Sequence, residues 1–236
     1  MSQQNYRADK VVVVGASRGI GYAVAQHIMP YTRELITVSR SPSTVGRWVE
    51  ADISTKAGIK QVTHAVGNSP LDAFLYLGGT WEERAFTDQY SFENCSDEDI
   101  ENVITVNLLA PICLVKSLLP ALRQAANPKI LFMGALSGLD NFPAREVANS
   151  ASKFGLRGVV HALREELRPE RIAVTIINPG NIATLEVIED LKQAGSPQTN
   201  AIPLSDLLNV IDCVLSLSRS TCIKEIQIPA MSARGA

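Results

Sequence analysis

Four consecutive valines, Val11 to Val14, run directly into Gly15-Ala16-Ser17-Arg18-Gly19-Ile20-Gly21. This junction constrains the fold more tightly than anything else in the chain. An uninterrupted β-branched run suits a strand covered on both faces, and such strands belong to parallel sheets. Glycines at this spacing permit a tight turn, point backbone N–H groups at an anion, and let the next helix pack close to the strand. A strand, a glycine turn and a helix in that order define the start of a βαβ unit.

The pattern repeats downstream. Apolar strand-like runs occur at Leu35–Val38, Trp48–Glu50, Leu71–Leu77, Lys129–Met133, Ala173–Ile177 and Ile223–Ile228. Helical periods lie between them, at about Gly19–Met29, Lys56–Val66, Asp97–Ala126, Val147–Leu167 and Ser205–Leu217. Ser96-Asp97-Glu98-Asp99 has the form of a helix start, with acidic residues at the positive end of the dipole. The expected class is therefore α/β: a Rossmann-type, doubly wound parallel sheet of about seven strands flanked by helices. A length of 236 residues with no break in composition predicts one domain over 1–236. Two long loops follow the carboxyl ends of strands, where open α/β sheets bind ligands. One spans about 79–96 and carries Trp81, Phe86, Tyr90 and Phe92, which either line a pocket or pin the loop. The other spans about 184–203 and includes the polar stretch Gly195–Asn200.

Several partner classes are not expected. Net charge is −2 with mixed signs and no basic stripe, so nucleic acid is an unpromising partner. The run from Arg164-Glu165-Glu166 to Arg171 alternates in sign and reads as a solvated helix end. The N-terminal residues are polar, unlike a secretory signal, and no uninterrupted apolar run approaches the roughly 20 residues of a membrane span. Cys95, Cys113, Cys213 and Cys222 show no paired spacing, as in a reduced cytoplasmic protein. His27, His64 and His161 are unclustered, and no metal site is expected.

The glycine turn predicts a dinucleotide at the first helix, and the end of the second strand indicates which one. A carboxylate there would accept from the adenosine ribose hydroxyls. The sequence instead reads Val38-Ser39-Arg40-Ser41. An arginine fork matches a 2′-phosphate, and Arg18 is placed to reach the same group, so NADP(H) is favoured over NAD(H). Asp52 and Ile53, after the third strand, are expected at the adenine.

With these residues in view, the chain resembles a short-chain dehydrogenase/reductase of the compact type over nearly its whole length. Gly15, Gly19 and Gly21 match the family's glycine motif, although Val14 stands where threonine is usual. Asp52 matches the adenine-contacting aspartate and Asn107 the helix asparagine. Pro179-Gly180-Asn181-Ile182-Ala183-Thr184 matches the turn that holds the nicotinamide amide. The family's Asn-Asn-Ala-Gly becomes Tyr76-Leu77-Gly78-Gly79. The resemblance implies cofactor contacts from Gly15, Ser17, Arg18, Gly19, Ile20 and Gly21 at the phosphates. It implies further contacts from Arg40, Asp52 and Ile53 at the adenosine end. Gly79, Lys153, Pro179, Gly180, Ile182 and Thr184 would serve the nicotinamide half. It also implies a homodimer or homotetramer built on the two longest helices, whose apolar residues include Val103, Val106, Leu114, Val159 and Leu163.

The reaction centre departs from the pattern. The family's Tyr-x-x-x-Lys is Asn149-Ser150-Ala151-Ser152-Lys153, which keeps the lysine and loses the phenol. In Met133-Gly134-Ala135-Leu136-Ser137-Gly138, Ala135 falls at the family's serine, and Ser137 fits only by a shifted alignment. A carboxamide has no usable pKa near neutrality, and a methyl group donates nothing. The departures at 76–78 and 133–134 suggest drift of the whole site rather than one engineered change. Three readings stay open: a reductase, or another lyase-like or isomerising enzyme, acting on an unidentified small molecule, in which the Asn149 N–H polarises a carbonyl and Lys153 or a water near Asn107 supplies the proton; a silent NADP(H)-binding sensor or scaffold; and an interaction protein without nucleotide.

Overall fold

The valine run is the middle of a sheet. In the computed structural model, which describes residues 6–231 apart from Ala194 and Ser196, β1 (Ala8–Val14) pairs in parallel on one side with β2 (Thr32–Ser39). On the other side it pairs with β4 (Ala73–Tyr76), so that Val14 lies opposite both Val38 and Tyr76. β3 (Arg47–Glu50), β5 (Lys129–Met133), β6 (Ala173–Pro179) and β7 (Glu225–Ile228) complete a seven-stranded sheet in the order β3-β2-β1-β4-β5-β6-β7. Every pairing is parallel. The chain winds outward in opposite directions from β1 and β4, which leaves a crevice at their carboxyl ends.

Helices cover both faces because the strands are apolar on both faces. α2 (Lys56–Val66), α4 (Ala110–Leu122) and α5 (Val147–Leu167) bury Val62, Leu114, Leu118, Leu156 and Val160 against Phe74, Ile130, Phe132 and Ile176. α1 (Gly19–Ile28) and α7 (Leu204–Ser216) bury Val24, Ile28, Leu207 and Ile211 against Val11, Val13, Leu75 and Leu131.

The predicted helix over 97–126 is three pieces in one rod. α3 (Asp97–Ile104) passes through a π-helical turn at Thr105–Leu109 into α4, and the α-helix ends at Leu122. Ser96 does start it, with Oγ accepting from the Asp99 N–H at 3.1 Å. The π turn frees the Val106 carbonyl, which accepts the Tyr76 hydroxyl. Tyr76 thus has a use of its own where the family carries asparagine.

Several expectations need correction. Over Asp97–Leu122 the rod is 26 residues long with a mean hydropathy of 1.8 in its most apolar stretch. Among the described residues it is the one helix long and apolar enough, by length and composition, to cross a membrane, although polar residues such as Asn107 and Lys116 interrupt every apolar run. Two surfaces use that apolar content: Val103, Leu114 and Leu118 enter the core, while Leu109 and Ile112 stay exposed. Val103 and Leu114 therefore cannot serve an intersubunit face. Arg164 is no solvated helix end either. It shares a face with Leu156, Val160 and Leu167, and that face is buried. The region 184–203 is not simply a loop: α6 (Leu185–Gln193) and a 3-10 turn at Gln198–Asn200 occupy much of it.

Candidate active site

The glycine turn closes on the crevice. Gly15 and Gly19 have φ of 87° and 57°, a region that favours glycine. A Cβ on Gly15 would stand 2.5 Å from the Gly78 Cα, and one on Gly21 would stand 2.2 Å from the Gly15 carbonyl oxygen. These glycines let β1, α1 and the end of β4 meet. Arg18, the first flanking residue of α1, makes no side-chain cap, and the first turn carries no acidic residue. The positive end of α1 therefore has no cap from its own flanking residue, and Ser17 and Ile20 lie on either side of Arg18 and Gly19.

At the adenosine end Arg18 and Arg40 are both exposed. Asp52 Oδ1 accepts from the Ser54 hydroxyl at 2.7 Å and the Ser54 N–H at 3.0 Å. The Ser54 hydroxyl first, and the Arg40 charge in addition, hold the Asp52 carboxyl below the usual carboxylate range. Arg40, Asp52 and Ile53 are thus gathered at the carboxyl ends of β2 and β3. Ile53 packs against the core on the face that carries α2.

Around β4, β5 and α5 the structure brings together most of the predicted nicotinamide-side residues. Asn107, buried in the π turn, accepts the Thr80 N–H at 2.9 Å and donates to the Thr80 carbonyl at 2.7 Å and to Ser152 Oγ at 3.1 Å. π turns inside α-helices often mark functional sites. Lys153 Nζ donates to the Met133 carbonyl at 3.2 Å. Burial brings the Lys153 ammonium down to about 8. The Cβ position of Gly79 lies 3.5 Å from Asn107 Oδ1 and 3.6 Å from Lys153 Nζ, so both polar groups converge on the gap left by this glycine.

Asn149 is buried, and its Nδ2 donates to Ser137 Oγ at 3.3 Å. The structure thus joins Ser137, not Ala135, to position 149. Gly138 and Glu225 hold this region from behind through Arg157, which donates to the Gly138 carbonyl at 3.0 Å and pairs with Glu225 at 2.7 Å. Asn178 donates to the same Glu225 at 2.6 Å. In the Pro179–Thr184 turn, Gly180 N–H donates to the Ile228 carbonyl at 2.9 Å, and Ile182 is buried in a bridge with Ile202. Thr184 begins α6, its Oγ1 accepting from the Val187 N–H at 3.4 Å.

Two residues at the site were not legible beforehand, and one loop aromatic takes the second of its two expected roles. Glu82, 1% exposed, accepts at one carboxylate oxygen from the N–H groups of Ala148 (2.7 Å) and Asn149 (3.1 Å). The Tyr90 hydroxyl accepts the Val147 N–H at 3.1 Å. The first turn of α5 is thus capped by the 79–96 loop. Of the loop aromatics, Tyr90 pins it, while Trp81, Phe86 and Phe92 remain exposed. The second unforeseen residue is Glu186, near Gly19.

Comparison with known proteins identifies this architecture. A sequence model described as short chain dehydrogenase matches residues 9–194. The chain belongs to the short-chain dehydrogenase/reductase superfamily. It is similar to the short-chain dehydrogenase/reductase olcF of Penicillium canescens, 25% identical over 184 residues, covering 74% of this chain and 69% of that one. Among solved structures it resembles L-sorbose reductase of Gluconobacter frateurii in complex with NADPH and L-sorbose, with a TM-score of 0.82, 19% identity and coverage of 97% and 98% of the two chains. The RhlG/NADP complex of Pseudomonas aeruginosa gives a TM-score of 0.77 at 21% identity, with 95% of each chain covered.

Proposed function

We propose that the protein binds NADP(H) across the carboxyl edge of β1 and β4 and reduces a small carbonyl compound, with Lys153 delivering the proton that a tyrosine delivers elsewhere in the family. The observation that carries this reading is the enclosed Lys153 amine, without a phenol beside it and with its pKa brought down to about 8. An acid titrating there is partly deprotonated at working pH and can exchange protons usefully. The residues present fit the dinucleotide. Gly15, Gly19 and the first N–H groups of α1 suit a diphosphate. Arg18 and Arg40, with no carboxylate at the end of β2, suit a 2′-phosphate. Gly79 leaves room beside Asn107 and Lys153.

When bound, a reduced nicotinamide supplies the hydride for the carbonyl carbon. Lys153, as the ammonium, gives its proton to the carbonyl oxygen and is left neutral, and solvent entering over exposed Gly79 reprotonates it. Asn107, anchored to both the N–H and the carbonyl of Thr80, keeps the 79–96 loop in place beside the amine.

Calorimetry should show NADPH binding at least about tenfold tighter than NADH, or about 1.4 kcal/mol. Equal affinities would contradict the arginine assignment. In an NADPH-oxidation assay over a panel of ketones and aldehydes, kcat/KM should be level below pH 8 and fall above it, because reduction needs the protonated amine. Lys153→Met should cut turnover by about 100-fold or more. Turnover that survives this change, or is flat through pH 8, would discard the lysine relay.

A second reading has its own support. Asn149 spends its carboxamide on Ser137, and Ala135 offers only a methyl group, so a silent NADP(H) sensor is consistent with the same site. NADPH binding without turnover of any carbonyl in the panel would select it.

The exposed faces of α4 and α5 favour self-association. Leu109, Ile112, Val147 and Phe154 stand 51%, 38%, 46% and 42% exposed on the π turn and these helices. Apolar residues grouped on adjoining helices suit a two-fold interface. Light scattering at micromolar concentration should give a dimer or tetramer, and Phe154→Glu should shift it to monomer. A monomeric native protein would refute the assignment.

A further inference from the structure

The positive end of α1 is not empty of anions, because the chain brings one of its own. Glu186 lies in the first turn of α6, and its Oε2 stands 4.0 Å from where a Gly19 Cβ would be. The carboxylate faces its own backbone N–H, the Thr184 hydroxyl and the Gly19 N–H, with the Arg18 charge nearby. These contacts hold it below the usual carboxylate range, its own backbone N–H contributing most. Arg18, Gly19 and Thr184 are three of the groups assigned above to the dinucleotide. A carboxylate thus stands at the first N–H of α1, where a diphosphate would bind, and beside a hydroxyl assigned to the nicotinamide half.

The helix that carries this carboxylate is lightly held. None of the residues of α6 is buried, and Leu185 is 89% exposed. Its neighbours Val187 and Ile188 are only partly covered. Sparse burial is the mark of a segment that opens at low cost. A diphosphate and a carboxylate cannot share one helix N-terminus, since like charges at such range repel and each needs the same N–H groups.

We propose that Glu186 is a built-in competitor for the cofactor: in the free protein it occupies the phosphate cradle, and dinucleotide binding expels it together with α6. The inference rests on the NADP(H) reading. It makes cofactor affinity a difference between two anions for one site. Any contact that holds α6 away from the glycine turn raises that affinity, and any contact that holds it down lowers it. The exposed apolar residues of α6 give such contacts a handle.

Calorimetric titration of the full-length protein with NADPH and, separately, with inorganic pyrophosphate tests this. Glu186→Gln and Glu186→Ala should each bind both ligands about tenfold tighter than the native protein. Glu189→Gln, which removes an exposed charge from the same helix, should change affinity less than about twofold. Amide exchange across 185–193 should rise when NADPH binds the native protein, and in Glu186→Ala it should be high without ligand. If the native protein binds NADPH and both Glu186 variants bind it equally or more weakly, the competitor role is overturned and the cofactor reading stands. If pyrophosphate binding tightens in the variants while no variant binds NADPH, the carboxylate does guard an anion site and the nucleotide reading falls. If neither ligand binds any variant, both are overturned.

Discussion

Asn149→Tyr combined with Ala135→Ser should raise NADPH-dependent reduction of an activated ketone by about 10²–10⁴-fold over the native protein. The range is that of a single well-placed general acid. The parts such an acid depends on are already assembled. Lys153 is one helical turn on from position 149, its amine enclosed against the Met133 carbonyl. Asn107 is fixed in the π turn. A phenol at 149 would face the Lys153 ammonium, which lowers its pKa towards the working range. In turn the phenolate would favour the charged amine and raise the Lys153 pKa above its present value of about 8. The pH profile should therefore change shape, with its limb passing from amine to phenol. Asn149 is 3% exposed, so the larger ring must project toward the gap over Gly79 instead of displacing Ser137. The single change Asn149→Tyr should capture most of the gain, because Ser137 already supplies a hydroxyl beside position 149. If the double variant binds NADPH as the native protein does yet stays inert across the panel, the pocket has closed and the silent-sensor reading is the better one.

How much of this was legible in the sequence follows from where each signal is encoded. β5 and α5 were placed to the residue, because a buried apolar strand and a 21-residue amphipathic helix state their periods repeatedly. β1 and β2 run several residues longer than their apolar cores, since end positions such as Lys10 and Glu34 pair in the ladder and carry no apolar mark. α6 was hidden for the opposite reason. It has a threonine cap and spaced apolar residues, but it buries none of them, and the polar tract behind it reads as loop. The candidate cofactor residues could be located because chain order alone places them at strand ends. Glu82 and Glu186 could not be, because each acts on backbone N–H groups 66 to 167 positions away in sequence. Trp81-Glu82-Glu83-Arg84 looks like a solvated turn. Only the fold distinguishes the buried glutamate from its exposed neighbour.

That buried glutamate carries the largest expected effect on stability. Glu82→Ala should lower the unfolding free energy by about 2–4 kcal/mol. Glu146, the residue just before α5, makes no side-chain cap. Its carboxylate instead accepts the Phe86 N–H at 3.0 Å, which ties the loop down but leaves the helix start to others. Glu82 accepts from Ala148 and Asn149, and Tyr90 from Val147. Removing the carboxylate strands two buried N–H groups, each worth about 1–3 kcal/mol when left unpaired. It also removes a negative charge from the positive end of a long helix, worth up to about 2 kcal/mol in a partly buried setting. Against this stands the desolvation cost of a buried carboxylate, which the alanine no longer bears. That offset keeps the net effect below the sum. Glu82→Gln keeps an acceptor oxygen and should cost about 1 kcal/mol, and Tyr90→Phe about the same through Val147. Urea titration should show the midpoint moving with little change in slope. Amide exchange should be accelerated first at 147–149, where the cap is lost. The same turn holds Asn149 and leads into Lys153, so NADPH affinity and any turnover should fall along with the cap. A Glu82→Ala midpoint within experimental error of the native one would mean that α5 is held by its packing alone. The loop would then merely lie against the helix without fixing it.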